Sequence, residues 1–140
     1  MPQIEVFEEP IGQQRHRTAG GHEYTPTATL EAQHRIRKAW RESGHGKIDD
    51  LVTLDITVYL RRPKGHYGTG RNAHLVKASA PMAPWTKPDW DNYGKLVSDA
   101  LNGVAFPDDS YVVDGHVHKR YVLNGDDTPF WVIGVWKWEG

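Results

Sequence analysis

The chain has 140 residues, 38% of them hydrophobic and 25% charged, a composition typical of one globular domain that buries its own core. It contains no cysteine, which excludes disulfides, thiolate metal sites and thiol nucleophiles. No apolar run approaches the roughly 18 residues of a membrane span, and the acidic start, MPQIEVFEEPIG, lacks the features of a signal peptide. We therefore expect a cytoplasmic protein with a single domain, residues 1–140.

Charge is distributed unevenly, although the net charge is only −1. Residues 1–87 hold 13 Lys and Arg against 9 Asp and Glu, whereas residues 88–140 hold 4 against 9. A basic half beside an acidic half is compatible with phosphate contacts around a metal site. Chance asymmetry explains the same distribution equally well.

The N-terminal half predicts a strand, a loop and a helix in that order. Gln3–Phe7 is typical of a short strand, and the polar, glycine-containing stretch 10–24 is typical of a loop. Thr25-Pro26 resembles a helix N-cap followed by a proline in the first turn. Apolar residues then recur at helical spacing and predict a helix over 26–43.

The middle of the chain predicts a strand and a long loop. Apolar and polar residues alternate over Leu51–Arg62, which indicates a strand. The stretch 63–87 has no sustained period, and its basic residues are interleaved with Tyr67 and Trp85. That mixture suits a loop facing nucleic acid. A solvated connector fits almost as well.

The C-terminal part predicts a helix and two strands. An apolar stripe over 91–102, followed by Gly103, indicates the helix. Strands are expected over 111–123 and 128–138, joined as a hairpin by the turn Asn124-Gly-Asp-Asp. The expected order is β-α-β-α-β-β, an α+β fold with a mixed sheet and two main helices. Apolar residues of the last strand could form core or part of a subunit interface; they are Trp131, Val132, Ile133, Val135 and Trp136.

Two histidines on the next-to-last predicted strand, His116 and His118, share one face and could chelate zinc. A third ligand with suitable spacing is not evident in the sequence. Partly solvated histidines on an edge strand are therefore the favoured interpretation.

Aspartates concentrate around the second predicted helix. Asp89 and Asp91 lie at its N-terminus, and Asp108-Asp109 follow the turn after it. Singly, each is explained as a cap or a turn residue. If the two pairs converge, their four carboxylates would repel one another without a cation between them. Oxygen donors alone favour Mg²⁺ or Mn²⁺ over zinc or copper.

The segment KPDWDNYGKLVSDALNGVAFPDDSYV closely resembles the signature of the RusA family of Holliday junction resolvases. The resemblance is strong over residues 87–120 and weaker over 10–62, and it departs from the usual pattern at Trp90, Tyr93 and Tyr111. It implies an endonuclease that uses Mg²⁺, with Mn²⁺ as a substitute. It also implies a homodimer that makes paired, symmetric cuts in a four-way DNA junction.

The resemblance also implies roles for individual residues. Asp89, Asp91 and Asp109 correspond to metal ligands, Asp108 to a ligand or the partner of one, and Lys95 to a catalytic lysine. Asp99, one turn beyond Lys95, is expected to orient that lysine.

Contacts to DNA are expected from basic residues outside the carboxylate segment. Arg15 and Arg17 lie in PIGQQRHR, which loosely resembles the N-terminal segment of the family, and Lys119 matches its later lysine. The full expected set is Arg15, Arg17, Lys64, Arg71, Lys77, Lys87 and Lys119. Two alternatives remain open at this point: a nuclease of broader specificity on branched DNA, and a DNA-binding accessory protein without catalysis.

Overall fold

A computed structural model describes residues 2–140 as one mixed sheet with two helices packed against it and a separate small hairpin. The elements are β1 (Gln3–Val6), β2 (Arg17–Ala19), β3 (His22–Tyr24), α1 (Thr27–Ser43), β4 (Val52–Leu60), α2 (Trp90–Leu101), β5 (Val112–Tyr121) and β6 (Phe130–Lys137). The predicted α+β class, with a mixed sheet and two main helices, is confirmed. No helix within residues 2–140 combines the length and the apolarity needed to cross a membrane.

The main sheet has the strand order β1-β6-β4-β5. β6 runs antiparallel to both β1 and β4, whereas β4 and β5 are parallel. Parallel neighbours need a crossover connection, and the chain between β4 and β5 contains α2. The predicted hairpin between the last two strands is wrong, because β4 lies between them. The apolar β4 takes the centre of the sheet, and the polar β5 takes its edge.

The core lies between the helices and one face of the sheet. Leu54, Ile56 and Val58 are buried in it, while the intervening Asp55 and Thr57 on the other face are only half-buried. The helices contribute Ala32, Ile36, Trp40, Tyr93, Leu96, Val97, Ala100 and Leu101. Strand β6 contributes Trp131, Ile133 and Val135, all fully buried. These three residues therefore form core, one of the two alternatives that the sequence left open for the apolar residues of the last strand.

The N-terminal segment differs from its prediction in two places. Residues 10–24 were expected to form a loop, but β2 and β3 form a two-stranded hairpin within them. Gly20 and Gly21 make its turn at φ of 60° and 82°, values that favour glycine and match the twist of a tight hairpin. Helix α1 begins at Thr27, so Pro26 rather than Thr25 holds the N-cap position.

The long connection 63–87 folds back on itself in two single 3₁₀ turns, Lys64–His66 and Gly70–Asn72. Arg62 anchors it at the end of β4. Its guanidinium donates to the carbonyl of Pro81 at 2.7 Å and lies 4.3 Å from the centre of the Tyr121 ring. The connection therefore returns to the sheet just before it enters α2.

Candidate active site

Helix α2 and the start of β5 bring Asp91 and Asp109 to the same cleft, which has a volume of about 320 Å³. Apolar side chains from β4 and β5 form part of its wall, and Trp90 and His116 also line it. The full lining is Leu54, Ile56, Trp90, Asp91, Gly94, Ser98, Asp109, Val112, Gly115, His116 and Val117. Two carboxylates thus face one partly apolar cleft, and both of their side chains remain exposed.

Gly94 allows the close approach of α2 to the edge strand. A Cβ at this position would lie 3.3 Å from Cγ2 of Val117, tighter than an ordinary contact between carbons. On the buried side, Leu96, Val97 and Ala100 fix the rotation of the helix. Asp91, in the first turn, therefore points into the cleft rather than into the core.

The chain returns from α2 to β5 through a tight reversal. Gly103 has a φ of 75°, and its amide donates to the carbonyl of Phe106 at 2.8 Å. A single 3₁₀ turn, Asp109–Tyr111, then leads into β5. This reversal is what brings Asp109, 18 positions after Asp91 in the chain, to the same cavity.

Asp108 and Asp109 have different surroundings although they are adjacent in sequence. The backbone amide of Ser110 donates to Oδ2 of Asp108 at 3.1 Å, so Asp108 caps the 3₁₀ turn. Hydrogen bonds from Ser110 hold the pKa of Asp108 below its ordinary value, and Asn102 adds to this effect. Asp109, not Asp108, lines the cleft.

Asp89 lies at the N-cap position of α2 but makes no side-chain cap hydrogen bond. Its Oδ2 is 3.9 Å from the ammonium of Lys87, and both side chains are exposed. Asp89 is not among the residues that line the cleft. Across residues 2–140, no three His, Asp or Glu side chains are grouped closely enough to hold a metal ion by themselves. Of the four predicted ligands, the structure brings together Asp91 and Asp109.

The carboxylates of Asp91 and Asp109 are oxygen donors of the kind that Mg²⁺ binds. Mg²⁺ keeps several of its waters and is commonly held by one or two carboxylates together with phosphate oxygens of the substrate. Asp91 and Asp109 supply two such carboxylates in an open cleft. The residues present fit a hard divalent cation that shares its ligands with a phosphate.

Lys95 and Asp99 lie on α2 beyond Asp91. Burial raises the pKa of Asp99, the positive charge of Lys95 opposes that rise, and the negative charge of Asp109 adds to it. Asp99 is therefore within electrostatic reach of both Lys95 and Asp109. Lys95 itself is exposed and lines a second pocket, which α2 forms together with residues 13–16 of the N-terminal segment.

Lys119, expected to contact DNA, has a different partner in the structure. It lies on the helix-facing side of β5, and its ammonium donates to the carbonyl oxygens of Thr86 at 2.6 Å and Pro88 at 2.9 Å. These two carbonyls belong to the chain that leads directly into Asp89. Lys119 therefore ties the edge strand to the entrance of α2.

The two histidines of β5 are partly exposed on an edge strand, as favoured from the sequence. His116 lies 3.0 Å from a carboxylate oxygen of Asp114, and His118 lies 3.5 Å from one of Asp55. The sequence reasoning missed that His116 borders the cleft, although the register with Asp55 places its ring on the opposite face of the sheet. In the sequence, only the position of His116 on the strand that follows Asp109 indicated that it lies near the cleft.

The other basic residues expected to contact DNA are all exposed; they are Arg15, Arg17, Lys64, Arg71, Lys77 and Lys87. Lys87 pairs with Asp89 at the start of α2. Arg15 lines the same second pocket as Lys95. Lys64, Arg71 and Lys77 lie along the connection between β4 and α2.

Comparison with known proteins gives a relative and a family for this chain. The chain is 41% identical over 74 residues to the uncharacterized protein YqaN of Bacillus subtilis (strain 168), and that match spans 53% of this chain and 51% of the relative. The chain thus matches about half the length of this relative. Residues 8–126 match the family described as "Endodeoxyribonuclease RusA", a range that contains the cleft and the whole carboxylate segment. The chain belongs to the RusA family of endodeoxyribonucleases.

Proposed function

We propose that the protein is a Mg²⁺-dependent, structure-specific endodeoxyribonuclease that resolves four-way DNA junctions by paired, symmetric cuts. Family membership supports an endodeoxyribonuclease. The observation that carries the metal-dependent reaction is the position of Asp91 and Asp109 on one cleft. Mn²⁺ is expected to replace Mg²⁺, because it accepts the same oxygen donors.

The roles proposed for the residues combine their positions with what the family resemblance implies. Asp91 and Asp109 would hold the cation, and Asp89, at the exposed rim, would complete its ligands once DNA is bound. The cation, when bound, supplies a nucleophilic water near neutral pH and stabilises charge on the scissile phosphate. Lys95 would stabilise negative charge that develops on the phosphate, and Asp99, which is within electrostatic reach of this ammonium, would orient it. Asp108 supports Asp109 by fixing the 3₁₀ turn.

The wall of the cleft contributes through its polarity. Leu54, Ile56 and Val117 present apolar surface beside the two carboxylates. Such a wall limits the number of waters around the cation and strengthens each charge interaction. A phosphate that enters would therefore replace water as the partner of the cation.

Paired cutting requires two copies of this site. Residues 2–140 form one such cleft, so one chain would cut one strand at a time. A two-fold homodimer presents two identical sites with the symmetry of the junction, and two-fold dimers are the commonest protein assembly. The proposed partner is therefore a second copy of this chain together with branched DNA.

The test is cleavage of a synthetic four-way junction with one labelled strand, compared with a linear duplex of the same arm sequence. The wild-type protein should cut the junction in Mg²⁺, leave it intact in EDTA and leave the linear duplex largely intact. Asp91→Asn serves as the matched control, since it keeps size and helix position while removing the charge. Equal cutting of both substrates would favour a nuclease of broader specificity. Tight binding without cutting in Mg²⁺ or Mn²⁺ would favour a DNA-binding accessory protein.

A further inference from the structure

A second pocket, of about 230 Å³, lies beside α2. Three of its lining residues carry basic groups and three carry side-chain amides, and no carboxylate lines it. The residues are Gln13, Gln14, Arg15, His16, Asn92 and Lys95. A cavity with this lining favours an anion with several oxygen acceptors.

The N-terminal segment that lines this pocket, residues 13–16, is hydrogen-bonded to both helices. The amide of Gln13 donates to the carbonyl of Asn92 at 2.9 Å, and the amide of Gln14 donates to Oγ1 of Thr29 at 3.3 Å. The side-chain amide of Gln33 donates to Oε1 of Gln13 at 3.2 Å. Because a buried polar group is costly unless it is hydrogen-bonded, these bonds account for the two polar side chains that α1 buries.

Thr29 and Gln33 are two of the three polar side chains that are buried within residues 2–140. Both serve to hold the segment that lines the pocket. Gly12 directly precedes Gln13, and its lack of a side chain allows this segment to approach α2. A Cβ there would lie 2.7 Å from Cβ of Pro88 and 3.2 Å from Cβ of Asn92, which a larger residue could not accommodate without a shift.

The pocket adjoins the cleft through α2. Asn92, which lines the pocket, directly follows Asp91, which lines the cleft. Lys95, implied by the family resemblance to act at the scissile phosphate, also lines the pocket. A bound anion would therefore be a close neighbour of the phosphate at the cleft.

Acidic groups around the pocket are few and lie outside its lining. Nδ1 of His16 is 4.0 Å from a carboxylate oxygen of Glu23, and both side chains are mostly exposed. Asp99 is within electrostatic reach of His16 and Lys95. Exposed pairs of this kind are weak and are readily exchanged for a phosphate.

We propose that this pocket is a phosphodiester subsite, which binds a non-scissile phosphate of the cut strand and sets which linkage enters the cleft. Arg15 provides the charged guanidinium, and Gln13, Gln14, His16 and Asn92 provide further N–H donors. Phosphate contacts fix the register of a protein on DNA without reading its sequence. The position of the cut relative to this phosphate rests on the proposed function, but the binding of phosphate does not.

The experiment measures binding of junctions that carry one neutral methylphosphonate linkage, moved along the strand one position at a time. Asp91→Asn is the background, so that no strand is cut. One position near the cut should weaken binding about tenfold, as expected for loss of one charge-assisted hydrogen bond. With Arg15→Gln and His16→Gln added, the same linkage should have no further effect. The slope of log affinity against log salt should also fall by about 0.9 for each lost contact.

Lys38→Gln is the matched control, since Lys38 is an exposed base on α1 that pairs with Glu42 at 3.9 Å. It should keep the methylphosphonate profile of the background. An unchanged profile in the Arg15 and His16 variant, or no sensitive position at all, would overturn the subsite. Circular dichroism of each variant separates these outcomes from loss of folding. A junction that shows the sensitive position but is never cut by the wild-type protein would leave the subsite standing and overturn the proposed function alone.

Discussion

The ammonium nitrogen of Lys119 lies 2.9 Å from the carbonyl oxygen of Pro88, the residue that directly precedes Asp89. A second bond, to the carbonyl of Thr86 at 2.6 Å, holds the same stretch of chain. One side chain of β5 thus fixes the start of α2 relative to the strand that follows Asp109. The separation between the two carboxylates of the cleft depends on this connection.

Replacing Lys119 with methionine should therefore weaken the metal site rather than the binding of DNA. Loss of groups that support metal ligands typically costs about 10- to 100-fold in metal affinity, so a comparable rise is expected in the Mg²⁺ concentration that gives half-maximal cleavage. The salt dependence of junction binding, measured in the Asp91→Asn background, should stay unchanged. A slope that falls by about 0.9 would instead identify Lys119 as a phosphate contact.

The neighbours Asp108 and Asp109 should respond differently to the same substitution. Asp109→Asn should abolish cleavage, because it removes a charged oxygen donor from the cleft. Asp108→Asn should retain most of the activity, since an asparagine oxygen can still accept the hydrogen bond from Ser110. Single-turnover rates on the labelled junction give the comparison. Equal losses in the two variants would mean that Asp108 is itself a metal ligand.

Lys95→Ala should lower the rate of cleavage far more than the affinity for the junction. One well-placed group that stabilises developing charge is worth about 10²–10³ in rate, whereas a single exposed phosphate contact is a small share of affinity. Single-turnover rates and junction dissociation constants should be measured on the same preparation. If both changed by the same factor, Lys95 would be a binding residue only.

Metal replacement should follow the chemistry of the oxygen donors. After removal of divalent ions with EDTA, Mg²⁺ or Mn²⁺ should restore cleavage and Zn²⁺ alone should not, because zinc favours nitrogen and sulfur ligands. His116 borders the cleft, but its ring stacks with that of His118 on the opposite face of the sheet, so His116→Ala should leave the Mg²⁺ reaction unchanged. Restoration by Zn²⁺ that is lost in His116→Ala would assign the metal to a mixed site.

Local patterns in the sequence predicted the helices and strands well because their signals are short-range. The stripe from Tyr93 to Leu101 and the alternation in β4 are each complete within a few turns or pleats of one element. The pairing of strands depends on contacts distant in sequence, and the turn signal at Asn124-Gly125 wrongly favoured a hairpin between β5 and β6. The polar composition of β5 was a better guide, since it indicates an edge strand.

The candidate site was only partly accessible from the sequence. The spacing of the aspartates and the family resemblance both selected this segment, and the structure places Asp91 and Asp109, but not Asp89 or Asp108, in the lining of the cleft. The difference between Asp108 and Asp109 includes local hydrogen bonds of Asp108, such as the one from the amide of Ser110, which no spacing reveals. The partner of Lys119 is a pair of backbone carbonyls more than 30 residues away, and a backbone carbonyl has no signature in the sequence.

The most direct test of paired cutting is the fate of a supercoiled plasmid that extrudes a cruciform. Protein is bound first, excess unlabelled junction is added to capture any molecule that dissociates, and Mg²⁺ then starts the reaction. A dimer with two clefts should convert the plasmid to linear DNA within one binding event, and Asp91→Asn should leave it supercoiled. Accumulation of nicked circles that are released before a second cut would contradict the account.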